Sequence, residues 1–177
     1  GAAMPFVEWR RTKLLRRIRL APVSTESMVA SRLFVSVAVA FVQTVVFIGI
    51  ATALFGFQLT GAWYMAIPLV ICATITFMAL GLIVGAVSKT AEGASGLANL
   101  VILPMAFLSG SFIPLDGAPS WIVTVSKFLP LGHVNEGLLN AMVRGQGAGT
   151  VVMPMVILLA FGAVFWLIAA RLFRWDD

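Results

Sequence analysis

An all-α integral membrane protein with four spanning helices is the fold class the sequence predicts, and three observations predict it. Apolar residues make up 60% of the 177 and charged residues 11%, at a mean hydropathy of +1.03, whereas an ordinary soluble domain is about 25% charged. Leu33 to Ser88 is a run of 56 residues without one Asp, Glu, Lys or Arg. That is enough for two crossings of a bilayer core of about 30 Å, each of which needs about 20 apolar residues. The apolar runs are also continuous over more than twenty residues, where the strands of a membrane barrel alternate apolar and polar over about ten. The composition excludes disorder, and the lone Cys72, inside an apolar run, excludes a disulfide scaffold and reads as a small core hydrophobe.

Two parts are expected, a cytoplasmic amphipathic segment over 1–24 and a transmembrane domain over 25–177. Residues 6–21 read as a short basic helix, with Val7, Leu14, Leu15 and Ile18 near one face, Arg10, Lys13 and Arg17 on another, and Pro22 ending it. Ser24 is placed to cap the next helix, with Glu26 in its first turn. The first span then follows over about 33–57, turned by the polar, Gly-containing segment Gln58 to Gly61. The second runs over about 62–87, with Trp63 and Tyr64 suited to an interfacial belt and Pro68 near its start.

A third uncharged stretch over about 93–113 is long enough to cross, with a kink or break expected at Pro104 and an end marked by Gly110 and Pro114. Between 114 and 149, Asp116, Lys127, His133, Glu136 and Arg144 punctuate two short apolar pieces, Trp121 to Leu129 and Val134 to Val143. Neither can span, so they are expected as a pair of short external helices that dip into the interface or fold back. Gly145, Gly147 and Gly149 form a joint before the fourth span over about 151–172.

The distribution of charge sets the orientation. Residues 1–32 hold seven basic and two acidic side chains, which accounts for the whole net charge of +5. Concentration beside the first span argues against nucleic acid as the partner. With the N-terminus in the cytoplasm, four crossings return the C-terminus to that side. Ten Lys and Arg are then inside and only Lys127 and Arg144 outside, as the positive-inside rule requires. The expectation is a multi-pass plasma-membrane protein with both termini cytoplasmic and no cleavable signal peptide.

Catalytic signatures are absent: there is no phosphate-binding Gly-x-x-x-x-Gly-Lys-Ser/Thr loop, His-Glu-x-x-His, Cys-x-x-Cys or Gly-x-Ser-x-Gly. No catalytic residue and no cofactor is assigned to this chain. His133 and Glu136, three residues apart, lack a third metal ligand and read as the polar face of an external helix. The interiors of the spans contain no Asp, Glu, His, Lys or Arg, which counts against an ion-coupled carrier. Their polar residues, Gln43, Thr44, Thr74, Thr76 and Asn99, are expected to hydrogen-bond between helices, and Gly81-x-x-x-Gly85 to let two spans approach closely.

The basic helix has two physical readings. Anionic headgroups attract such a segment by about 1 kcal/mol per basic residue. Alternatively Leu14, Leu15 and Ile18 form a ridge for a protein groove, with Arg16, Arg17 and Arg19 orienting the contact.

The stretch Leu14-Leu15-Arg16-Arg17-Ile18-Arg19-Leu20-Ala21-Pro22-Val23-Ser24 resembles the coupling helix of type-two ATP-binding-cassette exporter permeases. In that family a Leu-Arg-Arg-Leu-Arg run precedes a small residue, Pro and an aliphatic. Phe107-Leu108-Ser109-Gly110-Ser111-Phe112-Ile113-Pro114, followed by Pro119-x-Trp121 and Leu129-Pro130-Leu131, is similar to the family's fifth span and the paired short helices after it. The resemblance covers nearly the whole chain and implies that its four spans are the counterparts of the family's third to sixth, without the first two. Lys13 stands where the family often has Gly.

The resemblance further implies a permease subunit, paired with a second permease subunit, and cytoplasmic ATP-binding subunits that carry the ATP and Mg. This chain itself would not be an enzyme. Leu14, Leu15, Arg16, Arg17, Ile18, Arg19 and Pro22 would touch the ATPase, while Asn99, Met105 and Phe107 would lie near the substrate path or the seam between permeases. The competing expectations are a non-transporting four-helix protein whose basic helix binds lipid, and an ATP-independent carrier.

Overall fold

The computed structural model describes residues 25–172 except 57, 60, 113 and 116, with side chains described from residue 30 onward. Its described residues form helices and turns without a strand, and four of the helices are long and apolar enough to cross a membrane. The protein is an all-α, multi-pass integral membrane protein.

Helix α1 spans Thr25–Phe55 and contains the first span, Ala30–Phe55. Two of its threonines bond back within the helix: Thr44 donates to the Ala40 carbonyl at 2.7 Å and Thr52 to that of Ile48 at 2.9 Å, so neither presents an orphaned donor to an apolar surrounding. A 3₁₀ turn over Trp63–Met65 leads into α2, Ala66–Val87, whose Pro68 lies in the first turn, where no intrahelical partner for its nitrogen is needed.

Helix α3, Ala91–Leu108, starts two residues before the expected boundary because Thr90 caps it, its hydroxyl accepting from the Gly93 amide at 2.9 Å, with Glu92 in the first turn. It continues through Pro104 and ends at Leu108, short of residue 113, before Gly110 at a φ of 85°. The break expected at Pro104 is absent: the ring removes one hydrogen bond, that to the Leu100 carbonyl, and the helix continues for four residues beyond it. The short helices α4, Ser120–Ser126, and α5, Pro130–Leu138, follow, and α5 runs on into a wider π turn over Leu139–Val143. Helix α6, Gly149–Leu172, is the fourth span.

Helix α2 is the centre of the bundle, packing on α6, α1, α5 and α3. The core joins Leu69, Cys72 and Ala73 of α2, Val134 of α5, Ala141 of the π turn, and Val151 and Leu158 of α6. A smaller cluster of Val84, Ala94 and Ala98 ties α2 to α3. The short pair is therefore folded back into the bundle. A Cβ at Gly132 would lie 2.3 Å from the Ser126 carbonyl, and one at Gly137 2.6 Å from a Leu69 methyl; only glycine lets α5 come this close to α4 and α2. The loop after α1 meets the far end of the pair at Gly61, whose φ is +63° and whose Cβ, if present, would be 2.6 Å from the Gly145 carbonyl carbon.

Of the polar residues expected to bond between helices, one does. Thr76 shares its hydroxyl proton between Cys72 of its own helix at 2.9 Å and the Leu158 carbonyl of α6 at 2.8 Å. Thr74 bonds back to Val70, and Gln43 and Asn99 are exposed. A hydroxyl one turn from its own carbonyl finds that acceptor first, unless a second helix comes near. Gly162 permits that approach, since a Cβ there would be 3.2 Å from the Thr76 hydroxyl oxygen. In the Gly81-x-x-x-Gly85 motif, Gly85 is buried and Gly81 half-buried.

Candidate functional site

The residues assigned to ATPase coupling, Leu14, Leu15, Arg16, Arg17, Ile18, Arg19 and Pro22, lie outside the described residues. Helix α1 begins immediately after them, at Thr25. Because α1, α2 and α3 are joined by short turns, the start of α1, the Ser88–Thr90 turn and the end of α6 lie at one end of the bundle. The loop before α2 and the folded-back pair lie at the other.

Asn99, Met105 and Phe107 all sit on α3, but they do not share a face. At about 100° per residue, Met105 is turned some 120° from Asn99, and the structure buries Met105 while leaving Asn99 and Phe107 exposed. Phe107 stacks on Phe112 at a ring-centroid distance of 4.8 Å. The aromatic pair therefore closes the turn that follows α3.

That turn carries a polar node that sequence reasoning did not single out. The Asn135 side-chain amide donates to the Ser109 carbonyl at 2.9 Å and to the Ser111 hydroxyl at 2.8 Å, and the two serine hydroxyls are 3.4 Å apart. A carbonyl only accepts, so the atom of Asn135 facing Ser109 is its nitrogen. The amide thereby pins α5 to the end of α3, across 26 residues of sequence. The available signal was the Ser109-Gly110-Ser111 cluster at the end of an apolar span; nothing local pointed to Asn135 as its partner.

His133 is not the polar face of an external helix. Its ring is buried, stands 6.3 Å from Phe161 of α6, and its Nε2 lies 2.8 Å from the Lys127 carbonyl. Since that oxygen can only accept, Nε2 carries the proton, and the histidine clasps the end of α4. Glu136 approaches Nδ1 at 3.9 Å from a mostly exposed position. The folded-back pair thus brings an ionisable ring into the bundle that a scan of the spans alone leaves out. Among the described residues no group of three His, Cys, Asp or Glu could hold a metal ion.

Between the far end of α1, the turn after α3 and the α5–π segment lies an open groove of about 320 Å³, lined by Ala51, Ser111, Asn135, Leu139, Met142 and Val143 among others. The π turn shapes one wall: the Arg144 amide reaches back five residues to the Leu139 carbonyl at 2.8 Å, and the Arg144 guanidinium donates to the Asn140 side chain at 3.1 Å.

A bundle of apolar spans with a short helix pair folded back between them and a basic stretch ahead of the first span defines a membrane protein of the permease kind. The chain belongs to the ABC-2 family of transporter proteins, whose model matches residues 1–171. It is 31% identical over 127 residues to nodulation protein J of Rhizobium leguminosarum bv. viciae, covering 72% of this chain and 49% of that protein. It is 29% identical to ABC transporter G family member 20 of Dictyostelium discoideum, over 92% of this chain and 23% of that one. The linearmycin resistance permease protein LnrN of Bacillus subtilis is 26% identical, over 93% and 42% respectively. The chain thus spans about half the length of these relatives or less. No solved structure matches it.

Proposed function

We propose that the chain is the membrane-crossing subunit of an ATP-driven exporter of the plasma membrane. It pairs with a second permease subunit and is driven by two cytoplasmic ATP-binding subunits, moving a hydrophobic or amphipathic compound outward. Family membership supports the transport role, and so does the resistance-permease name of one relative. The apolar character of the spans favours greasy cargo over sugars or ions.

The observation that carries the mechanism is the continuity of α1. Its 31 residues run as one helix from Thr25, directly after the basic ridge, across the membrane to Phe55, a rod of about 46 Å at 1.5 Å per residue. The described helix starts at Thr25, three residues after Pro22 in the sequence. ATP-driven closure of the partner subunits pushes on Leu14 to Pro22, and α1 shifts as a packed body. Its tertiary partner among the described helices is chiefly α2, which leaves it freer to move than α6.

The test is a complex of this chain with its ATPase, reconstituted in liposomes, with Arg16, Arg17 and Ile18 replaced by Ala. The expected result is loss of transport and of cargo-stimulated ATP hydrolysis. Unchanged assembly together with unchanged transport removes the coupling role, and transport that persists without any ATPase favours the carrier reading instead.

A further inference from the structure

His133 is the only histidine in the chain, and the transport reading makes no use of its ring. The ring is buried, and each of its nitrogens faces an oxygen: Nε2 the Lys127 carbonyl at 2.8 Å, Nδ1 a carboxylate oxygen of Glu136 at 3.9 Å. A carbonyl and an ionised carboxylate both accept, so each position calls for a proton on the ring. A neutral imidazole carries one. With that proton on Nε2, the Nδ1 lone pair faces the carboxylate; with it on Nδ1, the Nε2 lone pair faces the carbonyl. Only the doubly protonated imidazolium presents a donor to both. Glu136 is mostly exposed, so water reaches the Nδ1 side, and a side chain one helical turn away can rotate to close the gap to hydrogen-bond length.

The two contacts sit at the elbow between α4 and α5. Lys127 caps the end of α4, Glu136 lies on α5, and Gly132 already lets the two helices touch at the Ser126 carbonyl. Helix α5 in turn packs on α2 and α6 and bonds through Asn135 to the end of α3. A bond gained at His133 therefore tightens α4 on an element tied to the rest of the bundle. The other titratable or charged groups on the elements packed against α5 are the exposed Lys127 side chain after α4, Cys72 of α2, Glu92 of α3, Arg144 after the π turn and Arg171 of α6. Glu92 and Arg171 belong to the opposite end of the bundle, Arg144 donates to Asn140, and a cysteine is an uncharged thiol below its ordinary pKa of about 8.5. Glu136 is the charge in contact with the ring.

We propose that His133 is an acid-operated clasp: on gaining a proton it binds the Lys127 carbonyl and the Glu136 carboxylate together and fixes α4 on α5. Histidine is the side chain that ordinarily titrates between about pH 5 and 8. The second bond exists only with the proton in place, so the elbow gains stability as the pH falls through that range and loses it as the pH rises. The exporter reading, with both termini cytoplasmic, decides only that the sensed compartment is the outside. The clasp itself needs neither ATPase nor cargo.

The experiment uses the full chain in phosphatidylcholine nanodiscs, where both faces meet the same buffer, with its histidine carbon-13 labelled at Cε1. NMR of that single ring follows its protonation from about pH 8 to about pH 5. Hydrogen exchange, divided by the intrinsic chemical rate at each pH, follows the elbow amides of Phe128, Leu129 and Gly132, which bond to the Val125, Ser126 and Leu129 carbonyls. The ring is expected to take up a proton over this range while protection of the elbow rises about ten-fold, the factor that a hydrogen bond to a charged group supplies at the lower end of its range. His133→Gln, which keeps a donor for the Lys127 carbonyl but cannot titrate, removes the rise. Glu136→Gln also removes it, because its amide gives the neutral ring the donor it lacks. Protection of α2 stays constant and reports that each variant is folded; should His133→Gln fail to fold, Glu136→Gln decides. A ring that stays neutral throughout, an elbow whose protection does not rise on acidification, or a rise that survives in Glu136→Gln overturns the proposal. None of these outcomes bears on the liposome ATPase experiment, so the clasp and the exporter reading fail separately.

Discussion

The second span and the first span are equally apolar and nearly equal in length, yet they are used differently. In Trp63–Val87, 44% of the most apolar window is buried inside the protein; in Ala30–Phe55, none is. The second span touches every other spanning helix and carries the core residues Leu69, Cys72 and Ala73. The first leans on one neighbour and turns Phe34, Val39, Val42 and Phe47 outward. In water such a face would aggregate, but lipid is as apolar as these side chains, so hydrophobicity does not select which helix is buried. Packing does. α2 and its partners present small residues, glycines and one shared hydrogen bond, whereas the outward side of α1 is built from valines and phenylalanines. The difference separates a central helix from a peripheral one.

Substitutions can break or sharpen this contrast. The largest effect is expected from Leu69→Ala, which empties a fully buried site against Gly137 and Val134. It should cost about 2–5 kcal/mol, read as a lowered midpoint of unfolding in mixed micelles. Next is Gly132→Ala, whose methyl meets the Ser126 carbonyl. Overpacking of this kind costs about 1–3 kcal/mol, and hydrogen exchange should show α5 loosening while α1 stays unchanged. Thr76→Val removes the bond to the Leu158 carbonyl and should cost roughly 0.6 kcal/mol, the average for such bonds in a bilayer. Phe41→Leu, on the lipid-facing side of α1, should stay within about 0.5 kcal/mol. If Phe41→Leu proves as damaging as Leu69→Ala in the isolated chain, α1 is held as tightly as α2 and the contrast fails.

Much of this protein was legible in its residues. Composition and the long uncharged runs determined that it is helical, that it lies in a membrane and that the described residues hold four helices able to span it. These properties depend only on hydropathy and backbone satisfaction, which are local. The Leu14–Ser24 and Phe107–Pro114 stretches determined the family in the same way, as linear patterns that the family model bears out. Tertiary structure alone decided which side chains meet. It turned Met105 inward and left Asn99 outside, brought Asn135 to Ser109 and Ser111, buried His133 against Lys127 and Phe161, and left an open groove beside the π turn. A linear pattern could not reveal these contacts because each joins residues from separate elements. In a bilayer the choice among equally apolar faces rests on a few glycines and hydrogen bonds whose partners are set only when the helices pack.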